Sequence, residues 1–329
     1  MSNPHDSLFK SIFCDPAEVA GLLRDLLHRD VLDQLNLDEL VALPAESIDE
    51  ILSSSSSDLR FRVPWRGGGH VELVLILEHQ STPDRTMPLR VLRYTLRVWE
   101  TAMAASRSAR LPVVLTLVVH HGRRPWSAPT RLSEMYDAPP SVIAALGDHL
   151  PELRLFLEDL TRLPDAEIPA EDGGRLTLLL MRHAHDPELW PILKGNLRLL
   201  DALLNRRGEL PTFQLLRYVF ERSDSPPDDE TLAALERRLR PAVKEELMRY
   251  GDRLRSEGQA EGLRIAVETL LQERFGGLPP WALARLQELH PENPPAPHPR
   301  GPHRPGSQHL AAARGGLSGL SARPSRSWA

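Results

Sequence analysis

Ser57-Asp58-Leu59-Arg60-Phe61-Arg62-Val63 and Val71-Glu72-Leu73-Val74-Leu75-Ile76-Leu77-Glu78-His79-Gln80, joined through Gly67-Gly68-Gly69, decide the fold. In the first stretch Leu59, Phe61 and Val63 alternate with Arg60 and Arg62, the period of a half-exposed strand. The second is nearly all apolar from Val71 to Leu77, as in a strand buried on both faces. Three consecutive glycines between them supply a turn, so the pair reads as a hairpin. Hairpin strands lie about 5 Å apart, which brings Asp58 toward Glu78. Glu78 and Gln80, two apart, point to one face, and His79 points to the other.

The flanking segments extend this into an alternating α/β pattern. Upstream, Ala17 to His28 carries Val19, Leu22, Leu23, Leu26 and Leu27 at the spacing of one helix face, with Pro16 at its start. Leu40 to Leu43 reads as a short strand, and the run Ser53 to Ser57 as loop. Downstream, Leu89, Leu92, Leu96, Trp99 and Met103 form a helical stripe expected to face the core, with Arg90, Arg93 and Arg97 on the opposite side. Tyr94 and Trp99 are expected in the core. Val113 to Val119 is again continuously apolar, a central strand. Residues from about 150 to 275 are mostly helical in pattern, broken at Pro164, Pro169, Pro187, Pro211 and Ser225-Pro226-Pro227, while Arg154 to Leu160 reads equally well as one more strand.

Composition narrows the class. The chain has 329 residues, 41% hydrophobic, 26% charged, with a net charge of -5. That is long enough for one large domain or two. A single cysteine, Cys14, excludes an intramolecular disulfide and a Cys-rich zinc site, and its apolar neighbours cast it as a small core residue. The apolar runs are too short to cross a bilayer, and no charged-then-apolar leader opens the chain, so a cytoplasmic location away from membrane is the expectation. Charge is segregated: an acidic N-terminal portion precedes residues 81–131, where Asp84 and Glu100 face nine arginines. Only Lys10, Lys194 and Lys244 are lysines among 40 basic residues, so no lysine lies near the hairpin.

Two carboxylates converging at a strand end make a hard oxygen site suited to Mg²⁺ or Mn²⁺. Such a cation acidifies a water and neutralises charge on a phosphodiester. On pattern alone, Asp58 reads as readily as a turn cap and Glu78 as a strand end leaving for solvent. The motifs extend further, in order: His5-Asp6-Ser7-Leu8-Phe9-Lys10, Ser57-Asp58-Leu59, Leu77-Glu78-His79-Gln80-Ser81 and Met87-Pro88-Leu89-Arg90-Val91-Leu92-Arg93-Tyr94. Leu111-Pro112-Val113-Val114 and His121-Gly122 with Pro125-Trp126 complete the set.

Together these segments resemble the recombination-promoting nuclease family, also called the YhgA-like putative transposases, of the PD-(D/E)XK nuclease superfamily. The resemblance spans roughly residues 1–275. It implies a restriction-endonuclease-like α/β core, helix–three strands–helix–strand, and Mg²⁺-dependent cleavage of DNA that promotes recombination. By that resemblance Asp58 takes the place of the metal-binding aspartate and Glu78 that of the glutamate in the superfamily's Glu-x-Lys motif. Gln80 falls where the lysine stands; the closer relatives share this glutamine. A glutamine orients a water but brings no positive charge and is no base near neutral pH, so slow, metal-dominated catalysis is expected. Asp6 reads either as a third carboxylate for the metal or as the N-cap of the first helix. His5 and His79 read as packed or solvated rather than as general bases. Arg90, Arg93 and Arg97 read as DNA phosphate contacts, with an ordinary solvated face as the alternative.

The expected organisation is a nuclease-like core over 1–140, a mostly helical C-terminal region over 141–290 and a disordered Pro/Arg-rich tail over 291–329. The glycine-punctuated segment Glu257 to Gly277 offers self-association, as a homodimer. The competing function is a catalytically weak or inactive nuclease-fold protein that binds DNA without cutting it. A three-carboxylate transposase and a partner-binding helical region are further alternatives.

Overall fold

A computed structural model of the chain describes residues 3–44, 59–78, 83–105, 110–253 and 256. The architecture follows from two short N-terminal helices, each started by local chemistry. In α1 (Pro4–Phe13) the Asn3 side chain accepts from the His5 N–H, and in α2 (Pro16–Leu26) the Asp15 side chain accepts from Ala17 N–H. Both have proline in the first turn, where its missing donor costs nothing. After α3 (Arg29–Leu32) come β1 (Val41–Leu43), β2 (Leu59–Pro64), β3 (His70–Glu78), α4 (Met87–Ala105) and β4 (Val113–His120). Helices, three strands, a helix and a strand thus follow in the expected order.

The sheet has five strands in the order β1 to β5, with β5 (Phe156–Asp159) reached after α5 (Pro140–Leu146). β1–β2 and β2–β3 pair antiparallel; β3–β4 and β4–β5 pair parallel. The hairpin is present: Leu59 pairs with Leu75, and Gly68 and Gly69 turn at φ +94° and +87°, where any other residue is strained. The ambiguous Arg154–Leu160 stretch contributes β5 to this same sheet. Parallel pairing requires a crossover, and α4 provides the one from β3 to β4.

β3 is apolar from Leu73 to Leu77, as expected of a strand covered on both faces. Leu73 and Leu75 join Phe61, Val63, Leu117 and Val119 under α1, α2 and the later helices α6 (Asp172–Arg182), α8 (Leu197–Arg207) and α9 (Glu209–Arg222). Val74 and Ile76 join Val118, Met87, Val91 and Tyr94 under α4, with Trp126 and Leu155. α7 (Trp190–Gly195), α10 (Asp229–Arg238) and helical residues 241–253 complete the described part.

Several expectations are corrected. The stripe of α4 that packs on the sheet is Met87, Val91, Tyr94, Thr95 and Val98; Leu96 and Met103 of the expected core stripe are 45% and 60% exposed. Trp99 is only half-buried, its indole N–H donating to Pro112 O at 2.9 Å. Cys14 is exposed, because it caps the C-terminal end of α1 instead of lying along its buried face. Pro211 is no break: it occupies the first turn of α9, and the boundary falls at Gly208, φ +79°. Asp6 is not the N-cap of α1, since Asn3 takes that place; Asp6 is buried in the first turn. No helix among the described residues is long and apolar enough to cross a membrane.

Candidate functional site

Three parallel strands end side by side. Glu78, the last residue of β3, pairs with His120 on β4, and His120 pairs with Asp159 on β5. On the other flank Leu59, the residue after Asp58, pairs with Leu75, three residues short of Glu78. β2, which begins one residue after Asp58, is therefore the antiparallel neighbour of the strand that ends at Glu78. Asp58, His79 and Gln80 lie outside the described residues, as does the side chain of Glu78. The segment Glu257 to Gly277 and the 291–329 tail do so as well.

The residues described around this end are closely packed. His120 and His121 are 0% exposed. His120 makes a ring-nitrogen hydrogen bond with Arg124 O at 3.0 Å and meets Trp126 edge-on, ring centroids 5.3 Å apart. Asp159 organises the next loop: its carboxylate accepts from Trp126 N–H at 2.8 Å, from the Thr161 hydroxyl at 2.7 Å and from Arg162 Nε at 3.0 Å. Beside it, burial and then the Asp159 charge hold the Glu158 carboxyl above its ordinary value.

On the other face the His121 ring lies 4.7 Å from that of His5 and 6.5 Å from that of His185. His5 Nδ1 is 2.9 Å from the Tyr218 hydroxyl on α9. Burial raises the Tyr218 hydroxyl above its ordinary value, so it stays protonated; burial, then Arg123 and Arg222, lower His185. His5 is thus a packed histidine, as expected. Its contact with His121 seats the first turn of α1, and with it the buried Asp6, at the carboxyl end of β4. The His120-His121 pair is a part of this end that the residue patterns did not single out. Its signal lay in the continuation of the β4 apolar run, which parallel register sets opposite Glu78.

Arg90, Arg93 and Arg97 share one side of α4, with Arg93 exposed and the other two partly buried. The Arg90 guanidinium lies 5.9 Å from the Tyr94 ring centroid, and Arg97 pairs with Glu100 at 3.0 Å. A second charged group was hidden in the hairpin. Glu72, buried in β3, accepts from Arg62 Nε and Nη2 at 3.0 and 2.8 Å, with Arg60 at 3.7 Å and His70 at 3.3 Å. Among the described residues no three His, Cys, Asp or Glu side chains converge as metal ligands.

Residues 3–210 match the family described as "Putative transposase, YhgA-like". The chain belongs to that family. It is 27% identical over 268 residues, 78% of this chain and 95% of the relative, to "Recombination-promoting nuclease RpnD" of Escherichia coli O157:H7. It is 26% identical over 80% of its length to "Recombination-promoting nuclease RpnA" of Escherichia coli K12, covering 88% of that protein. At 27% identity it also resembles "Inactive recombination-promoting nuclease-like protein RpnE" of the same strain, over 79% of this chain and 84% of the relative. No solved structure matches.

Proposed function

We propose that this chain is a nuclease that hydrolyses DNA phosphodiester bonds with Mg²⁺ or Mn²⁺ and thereby promotes recombination. The supporting observation is the register of the sheet, in which β2, beginning one residue after Asp58, and β3, ending at Glu78, are antiparallel neighbours and Glu78 lies beside His120. The proposed core is of the PD-(D/E)XK type, with Asp58 and Glu78 as metal ligands and Asp6 as a third carboxylate reached from α1. An all-carboxylate donor set fits a hard divalent cation. Bound there, the cation would supply Lewis acidity and neutralise charge on the phosphodiester.

The chain's own residues do the rest. Gln80 orients the attacking water by hydrogen bonds and takes no proton. The water oxygen attacks phosphorus and gives a proton to solvent, the bond to the leaving sugar oxygen breaks, and that oxygen gains a proton from solvent. Arg90, Arg93 and Arg97 hold flanking phosphates, a task suited to guanidinium forks. His120 and His121 are sealed in packing, which favours a structural role over proton transfer.

A second reading, a nuclease-fold protein that binds DNA without cutting, is favoured by Gln80 in the place of a lysine. Nicking of supercoiled plasmid with Mg²⁺, Mn²⁺ or EDTA, beside Asp58→Ala, separates them. Metal-dependent nicking lost in the variant is the expected result. Salt-dependent DNA binding without nicking favours the second reading, and nicking that survives the substitution overturns the site.

A further inference from the structure

α4 carries two apolar stripes, and among the described residues only one of them is buried. The inner stripe, Met87, Val91, Tyr94, Thr95 and Val98, packs on the sheet. The other, Leu89, Leu92, Leu96, Trp99 and Met103, has steps of three and four residues, the spacing of a coiled-coil seam. At 3.6 residues per turn its centre lies about 135° around the helix from the inner stripe. Leu96 and Met103 are exposed, and Leu89, Leu92 and Trp99 are only partly covered. The Trp99 bond to Pro112 O brings alongside the exposed Leu111 and Val113, 45% and 53% accessible, at the start of β4. Six apolar side chains from Leu92 to Val113 therefore make one continuous patch of a kind that marks an interaction surface.

The charges beside the seam specify the occupant. Arg93 and Glu100 flank it on the solvent side, seven residues apart, and thus occupy equivalent positions in successive repeats. If two α4 helices pack antiparallel about a twofold axis, Leu96 of each copy faces Trp99 of the other and Leu92 faces Met103. In that one register Arg93 of each copy comes beside Glu100 of the other, twice by symmetry. A parallel pair sets Arg93 and Glu100 beside Pro88 and Thr95 of the other copy and lacks this complementarity. Within one copy Glu100 pairs with Arg97 at 3.0 Å on the side of the helix away from the seam, and it exchanges that partner for Arg93 of the other copy.

We propose that α4 is a self-association surface that pairs two copies of this chain antiparallel through Leu92, Leu96, Trp99 and Met103, with reciprocal Arg93–Glu100 pairs. The interface is independent of whether the chain cleaves DNA. It competes with phosphate binding only at Arg93, leaving Arg90 and Arg97 on the open side of the helix. This is a different part of the molecule from the Glu257 to Gly277 segment.

Sedimentation equilibrium of the full-length protein tests it. The wild type is expected to dimerise, and Leu96→Glu or Met103→Lys to weaken association at least roughly tenfold, as for loss of a central apolar contact. The fold of these variants, read by circular dichroism, is expected to stay unchanged, since both side chains already face solvent. Arg93→Glu is expected to weaken association, and Arg93→Glu with Glu100→Arg to restore it. A wild type that stays monomeric overturns the proposal. So does a dimer that persists in both seam variants, which places the interface elsewhere. Failure of the charge exchange to restore association overturns the antiparallel register.

Discussion

The two faces of the central sheet are built to different standards. One is covered by five helices, α1, α2, α6, α8 and α9, over a core that includes Phe9, Phe13, Phe61, Leu73 and Leu75. The other carries the single helix α4 with Trp126 and Leu155, and shares its side of β3 with the buried Glu72 and its arginines. Among the described residues the heavily covered face leaves no apolar stripe over. The thin face leaves both a stripe of leucines and a stripe of arginines on the outside of α4. The larger core lies on the first face, and the exposed apolar stripe lies on the second.

Substitutions that cut each face measure the difference. The largest expected effect is from Phe61→Ala, which opens a cavity on the thick face at a site 1% exposed. A loss of about 3–5 kcal/mol is expected, read by urea unfolding. Next is Glu72→Gln on the thin face. Removing its charge leaves Arg60, whose guanidinium burial already depresses below its ordinary value, without the nearest carboxylate. A loss of about 3 kcal/mol is expected by the same measurement. A value near zero would mean that water reaches Arg60 and that the thin face is looser than its packing indicates.

The smallest effect is a pH dependence on the thick face. Glu18 on α2 is buried against α6, where its carboxylate accepts from Gly174 N–H at 2.7 Å. Burial raises its carboxyl above the ordinary 4.5, against lowering by Gly174, Arg206 and Arg207. The folded state then holds the proton more tightly than the unfolded chain. The stability this group contributes is full below 4.5 and is lost as pH rises through the folded value. Glu18→Gln keeps an acceptor for Gly174 and is expected to be at least as stable as wild type at pH 7, with no such advantage below 4.5. Chemical denaturation at the two pH values checks it; a loss at pH 7 would show that the ionised carboxylate stabilises the α2–α6 contact.

Legibility in the sequence tracked the range of the forces involved. The hairpin was readable because strand alternation and a glycine turn are properties of adjacent residues. Pro211 misled because a proline in a first turn and a proline at a break look alike until the N-terminus of the helix is known. Cys14 was read as core from apolar neighbours, although a helix end turns its last side chain outward. The outward stripe of α4 was taken for the inward one because its heptad spacing is the more regular. The stripe that packs includes Tyr94 and Thr95, whose polar atoms hide it from a count of apolar positions. For the candidate site, the residue types Asp58, Glu78, Gln80 and Asp6 were legible, but their setting was not.

By itself the sequence determined the alternating helices and strands, the hairpin, the doubly buried strand and membership in a family, because each is written in local pattern or ordered motif. Only the tertiary structure decided which stripe of α4 meets the sheet, that Glu72 carries its charge inside with Arg60, and that His5 and His121 bring α1 to the strand ends beside Glu78. Those contacts join residues far apart in the chain, and their energies depend on burial and register, which no local window contains.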